Sequence, residues 1–184
     1  GQMAKYYKVP SMTFGACSEG KTVDYQSGYE DMLTSLVAVE AGFNMVYGPG
    51  AVDYFMDFSC EKLLLNAEII KMMDFYRKGV EVNEETLAWD TIKEVGPGGS
   101  FMMSMHTLSH FRDYQLYPDK IIDRFKRDTW ENQGRKTIYE RTNQKVKEML
   151  EQDYTMRLTG EVAERLDEVI KEINAELGSD LPLV

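Results

Sequence analysis

The sequence predicts an α/β fold weighted toward helix, with two parallel strands and about six helices. Three observations lead there. A strand, a polar loop, a helix and a second strand follow one another over residues 11–47. After residue 59, apolar residues recur at helical spacing. Proline or glycine stands at the junctions, at positions 10, 42, 48–50, 118 and 134.

Residues 2–7 read as a helix end, stopped at Val9-Pro10. Residues 11–16 form a first strand, with Met12 and Phe14 on one face. The polar segment 17–27 is a loop. A helix over 28–41 carries Met32, Leu33, Leu36, Val37 and Val39 as its apolar positions, and Gly42 stops it. Residues 43–47 form the second strand, and Gly48-Pro49-Gly50 turns out of it. Ser59 caps a helix to residue 77, with Leu63, Leu64, Ile69, Ile70, Met73 and Phe75 as its apolar set. Asn83 caps another helix, whose first turn holds Glu84 and Glu85, where carboxylates suit the helix dipole. Pro118 opens a helix that Gly134 closes. Helices over 136–151 and 160–177 follow. The last bears one stripe of Val162, Leu166, Val169, Ile170, Ile173 and Leu177.

Two strands cannot close a barrel. Their faces need cover from the chain's own helices or from a partner, so dimerisation is expected. The chain is long enough for one domain over 1–184, a βαβ portion (1–58) followed by a helical region (59–184), but short of the ~250 residues of a complete (β/α)8 barrel. It begins at Gly1 and enters a helix at once, which reads as a piece of a longer protein behind an expression scar.

With 31 acidic and 21 basic residues the formal net charge is −10. That charge repels phosphate backbones and anionic lipid, so neither nucleic acid nor membrane is an expected partner. No apolar run reaches the ~20 residues of a membrane helix. Cys17 and Cys60 have no paired spacing, which suits a reducing cytoplasm.

Chemistry-bearing residues gather at three places: Cys17, Glu19, Asp24 and Gln26 after the first strand; Asp53, Tyr54 and Asp57 after the second; and the cluster from His106 to Arg112, which holds both histidines of the chain. Each has a plain reading beside the functional one. Cys17 is either a nucleophile or a small buried apolar residue, and the second is favoured. His106 and His110 have the i, i+4 spacing of zinc ligands, but lack an HExxH glutamate or a third ligand, so no metal is expected. Residues 96–99 suit a helix stop better than a phosphate cradle, since no P-loop lysine follows.

Gly96-Pro97-Gly98-Gly99-Ser100-Phe101 and His106-Thr107-Leu108-Ser109-His110-Phe111-Arg112, read with Ser18-Glu19-Gly20-Lys21-Thr22-Val23-Asp24-Tyr25-Gln26 and Gly28-Tyr29-Glu30, resemble the carboxy-terminal part of the trimethylamine methyltransferase family. The likeness runs from about residue 2 to about residue 150. It implies the carboxy-terminal part of a TIM barrel and a corrinoid-dependent methyltransferase related to methanogenic chemistry. The enzyme would bind no cofactor directly; a cognate corrinoid protein would carry the cobalamin and accept the methyl group. Convergence of the three clusters on one pocket is likewise implied by the family's fold.

Ala16-Cys17-Ser18-Glu19-Gly20-Lys21 aligns with the segment in which the trimethylamine enzyme carries pyrrolysine, and Cys17 takes that position. Pyrrolysine offers an imine that an amine lone pair can attack; cysteine offers no electrophile. A quaternary ammonium has no lone pair and already has a neutral amine as leaving group. The resemblance therefore implies a substrate of the glycine betaine type, a quaternary or tertiary amine. It assigns catalytic roles to Cys17, Glu19 and His106, and substrate contacts to Asp24, Gln26, Tyr29, Glu30, Tyr47, Tyr54 and Thr107. The 11 Tyr, 8 Phe and 2 Trp suit a cation held by aromatic faces. Little activity is expected of this stretch alone. The rival readings are an inactive fragment that only associates and a binding module for a cationic osmolyte.

Overall fold

A first helix, α1 (Gln2–Tyr7), ends where Lys8 turns left-handed at φ 55°. In the computed structural model, which describes residues 1–152 and 160–178, the chain then enters β1 (Met12–Phe14). Helix α2 (Tyr25–Ala41) starts three residues earlier than the apolar pattern indicates, because Asp24 caps it through the Ser27 amide. Gly42, at φ 71°, ends it as expected. Next comes β2 (Met45–Tyr47), parallel to β1, with Met12 opposite Met45, Thr13 opposite Val46 and Phe14 opposite Tyr47. The predicted strand–helix–strand order and parallel sense hold, with both strands shorter than expected. Among the described residues the parallel sheet has two strands, so a closed barrel is not present in this stretch.

Alternation puts Met12, Phe14, Met45 and Tyr47 on one sheet face, and all four are exposed. The opposite face, with Thr13 and Val46, is half-buried. Beyond β2 the chain makes a small antiparallel hairpin absent from the sequence reading: β3 (Ala51–Val52) pairs with β4 (Asp57–Phe58) around a 3-10 turn, Asp53–Phe55.

Helix α3 (Cys60–Lys78) begins at the expected cap, where Ser59 Oγ accepts the Lys62 amide at 3.1 Å. Its buried face corrects the sequence reading. Lys62, Asn66, Glu68 and Met73 are buried, while Leu63, Ile70 and Phe75 are exposed. In α2, likewise, Ser27, Asp31, Ser35 and Ala38 are the buried positions, and Leu33 and Val37 lie open. The two helices pack against one another through small and polar side chains, with Asp31 bonded to Lys62 and Asn66 across the seam, so their apolar residues fall to the flanks and outward.

Asn83 does cap a helix, with its own amide donating in return to Thr86 Oγ1, but that helix, α4 (Glu84–Leu87), is a single turn. Ala88, left-handed at φ 49°, separates it from α5 (Trp89–Val95). The glycine stretch follows as a turn, then α6 (Met105–His110) and α7 (Arg127–Asn132). Pro118 opens no helix: residues 116–119 are irregular, and the Asp119 amide donates to Glu68 Oε2 at 2.9 Å instead. Ile121, 4% exposed, is the apolar anchor of this segment. Helix α8 (Ile138–Leu150) grips it, with Arg141 Nε donating to the Ile121 carbonyl and Asn143 to Glu61 of α3. There are nine α-helical segments among the described residues against about six expected, because left-handed residues and glycines divide the central run.

The chain divides into two units, residues 1–149 and 150–184. The second contains α9 (Gly160–Leu177), with the predicted bounds; its Val162, Leu166, Ile173 and Leu177 are exposed. None of the described helices is long and apolar enough to cross a membrane.

Candidate active site at the strand ends

The carboxyl ends of β1 and β2 lie side by side, and the loops leaving them are tied together. After β1, Ala16 adopts φ 51°, a left-handed conformation that is costly for a residue with a Cβ. The loop that follows is organised by Glu30 of α2. Its carboxylate accepts from Ser18 Oγ at 2.6 Å, from the Glu19 amide at 3.0 Å and from Gln26 Nε2 at 2.9 Å. The Ser18 hydroxyl, then Gln26, hold this carboxyl below its ordinary range, so it is an anion at neutral pH.

The loop after β2 carries three successive non-glycine residues at positive φ: Asp53 at 48°, Tyr54 at 54° and Phe55 at 67°. Such a run is rare, and its contacts account for it. The Asp53 amide donates to the Gly20 carbonyl at 3.0 Å. Tyr54 OH donates to Glu19 Oε2 at 2.9 Å, which raises the phenol's pKa. Lys21 pairs with Asp53 at 3.2 Å and lies 4.9 Å from the centre of the Tyr54 ring. Phe55 is thereby turned onto the ends of the strands. Its ring centre is 4.9 Å from that of Phe14 and 5.9 Å from that of Tyr47, and Phe14 and Tyr47 are 4.6 Å apart.

Cys17 belongs to the same place. Gly48, at φ 135°, leaves no room for a side chain: a Cβ there would sit 2.7 Å from the Gly15 carbonyl and 3.2 Å from both Cys17 Cβ and Phe55 Cζ. Cys17 and the Phe55 ring therefore flank one glycine. Burial, then the nearby Asp31 carboxylate, push the Cys17 thiol above its ordinary value. It is a neutral thiol at pH 7, poorly suited to act as a nucleophile.

Behind these loops lies a charged pair that the sequence reading did not select. Lys62 Nζ is 2.6 Å from Asp31 Oδ1, with side-chain exposures of 1% and 3%. It also reaches the Ala16 carbonyl and Asn66 Oδ1, each at 3.3 Å. Asn66, wholly buried, donates to Asp31 Oδ2 at 2.7 Å and accepts the Gly50 amide at 2.8 Å.

The structure thus gathers Cys17, Glu19, Gln26, Glu30, Tyr47 and Tyr54, and adds Phe14, Phe55, Asp31, Lys62 and Asn66. The other selected residues are engaged elsewhere. Asp24 is the cap of α2, and its carboxyl is lowered by Thr22 first. Tyr29 stacks edge-on with Tyr25, centroids 5.6 Å apart, on the outer turns of α2. His106 Nε2 is 2.8 Å from the Glu85 carbonyl and His110 Nε2 is 3.1 Å from the Glu85 carboxylate, while Thr107 completes the α6 cap with Ser104. These contacts keep His106 and Thr107 within the segment 85–114. No group of three or more metal-ligating side chains occurs among the described residues. One signal for the missed residues was present: Ser27, Asp31, Ser35 and Ala38 recur at helical spacing, and Lys62 and Asn66 share a face four apart.

Comparison with known proteins gives a consistent result. The profile of the family described as trimethylamine methyltransferase matches residues 1–178. A glycine betaine methyltransferase of Desulfitobacterium hafniense strain Y51 is 35% identical over 181 residues, covering 97% of this chain and 37% of that protein. A trimethylamine methyltransferase from strain DCB-2 of the same species is 31% identical over 96% of this chain and 35% of its own length. One from Methanosarcina mazei is 32% identical over 100% and 34%, respectively. The chain spans about a third of the length of these relatives.

Proposed function

Because the chain belongs to the trimethylamine methyltransferase family, we propose that it is a portion of an enzyme that moves a methyl group from a quaternary amine of the glycine betaine type to the Co(I) centre of a cognate corrinoid protein. The observation that carries this reading is the wall of Phe14, Tyr47 and Phe55 beside a neutral Cys17. A quaternary ammonium makes no hydrogen bonds and is recognised by ring faces, each contributing about 0.5–2 kcal/mol. A protonated thiol next to it neither competes for the methyl group nor forms an adduct.

In the transfer, the acceptor's Co(I) electron pair would form the Co–C bond as the C–N bond breaks, and the C–N bonding pair stays on nitrogen, which departs as an uncharged amine nitrogen. The chain's part is to hold nitrogen and methyl in line with the incoming metal. Glu30 and the Glu19–Tyr54 pair fix the loops that carry the wall. The frame around the two strands is proposed to be a (β/α)8 barrel, with this stretch supplying its carboxy-terminal part. A second reading applies to the 184 residues alone: exposed Met12, Phe14, Met45 and Tyr47 favour an association fragment, either self-pairing or joining the remainder of such a barrel.

The test uses the full-length protein with Co(I) corrinoid and glycine betaine. The expected result is conversion of the Co(I) spectrum to that of methyl-Co(III). An unchanged spectrum across a panel of quaternary amines, with active corrinoid, would remove the proposal.

A further inference from the structure

Lys62 and Asp31 are placed where no charge resides without a reason, since desolvating two ions costs several kcal/mol each before they attract one another. Their partners show what the arrangement does. Lys62 Nζ reaches the carbonyl of Ala16, the residue with a strained φ of 51° directly before Cys17. Asn66, held by Asp31, takes the amide of Gly50, two residues beyond Gly48. One buried cluster thus grips one peptide in each of the two loops that leave the strand ends.

We propose that Lys62, Asp31 and Asn66 are positioning residues: they set the peptide at Ala16 and the turn at Gly50, and so hold the Cys17 side chain against Gly48, next to Phe55. None of the three touches the open face of the wall, so they act through the loops. The peptide before Cys17 is turned toward α3, and relaxing it to a right-handed or extended φ would carry the Cys17 side chain off Gly48. The proposal takes from the methyl-transfer reading only the purpose of the loops. Its test reads thiol and amide chemistry, so the two can fail separately.

The charged or titratable groups facing Cys17 are Asp31 and Glu30 from α2 and Lys62 from α3, with Thr34 as a hydrogen-bond partner. In the full chain with Cys60→Ser, alkylation of Cys17 by iodoacetamide is followed from neutral to alkaline pH. Asp31→Asn is expected to move the midpoint down and Lys62→Met to move it up. A pair that merely stabilises the fold would loosen the loop alike in both variants. Shifts in the same direction, or none in either, would overturn the proposal.

If Lys62→Met does not fold, Asn66→Ala keeps the question open to measurement through amide exchange. The Gly50 amide is expected to exchange about tenfold faster. The Gly15 amide, bonded to the Tyr47 carbonyl at 3.0 Å, should stay within about twofold of the parent. Equal acceleration at both sites would show a general loss of stability and sink the assignment.

Discussion

Replacing Lys62 with methionine removes the cationic half of a pair whose side chains are 1% and 3% exposed and only 2.6 Å apart. Asp31 would keep its bond from Asn66 but lose its counter-ion, and the Ala16 carbonyl would lose a donor. Breaking such a pair from one side costs about 3–5 kcal/mol, whereas replacing both members with apolar residues of similar volume is often neutral or stabilising. Lys62→Met should therefore be destabilised by about 3–5 kcal/mol, and Asp31→Leu/Lys62→Met should recover most of that loss. The assay is urea unfolding followed by tryptophan fluorescence; both tryptophans, Trp89 and Trp130, lie in residues 1–149 and report that unit alone. With a slope of about 1–3 kcal/mol/M, the single variant's midpoint falls by roughly 1–5 M. A double variant no more stable than the single one would refute the reasoning, because the loss would then come from packing and not from a stranded charge.

Four further outcomes follow from the geometry. Phe55→Ala in the full-length protein should weaken binding of a quaternary amine about 2- to 30-fold by calorimetry, while Tyr47→Phe keeps the ring and should change it little. Gly48→Ala forces a Cβ to within 2.7 Å of the Gly15 carbonyl at φ 135° and should lower stability by about 1–3 kcal/mol, read from the same urea curves. Glu30 is held below the ordinary carboxyl value of 4.5, by Ser18 first; its contribution is therefore present above that value and lost as pH falls through its lowered native pKa. Amide exchange at Glu19, corrected for intrinsic rates, should accelerate over that acid range and become pH-insensitive in Glu30→Gln. Substituting Met45→Lys on the exposed sheet face should reduce any self-association of the 184-residue chain in light scattering.

The parts of the fold written as local signals were readable. Ser59 and Asn83 cap helices, Gly42 stops one, and two short β-branched or aromatic runs around a helix make a parallel pair. The sidedness of α2 and α3 was not readable from hydrophobicity. Their shared face is built around Asp31, Lys62 and Asn66, whose burial depends on mutual satisfaction across residues 31–35 apart. A single helix cannot display that pairing. The same holds for the site. Cys17 could be placed by its position after a strand and Tyr47 by its position at a strand's end, but Phe55 joins Phe14 only because residues 53–55 take a left-handed path. Nothing in the letters Asp-Tyr-Phe announces that path. Asp24 shows the opposite error, since a carboxylate before a helix has a structural task that its residue type alone does not separate from a binding one.

That left-handed path has a consequence for how this region can change. Three side-chain-bearing residues held off their preferred backbone basin stay there only while Glu19, Gly20 and Lys21 grip them, so sliding one loop without the other would forfeit every grip at once. The two crossover tips are therefore a single rigid part. A new substrate range in this chain would have to arise by exchanging the rings at positions 14, 47 and 55, with the scaffold that presents them left in place.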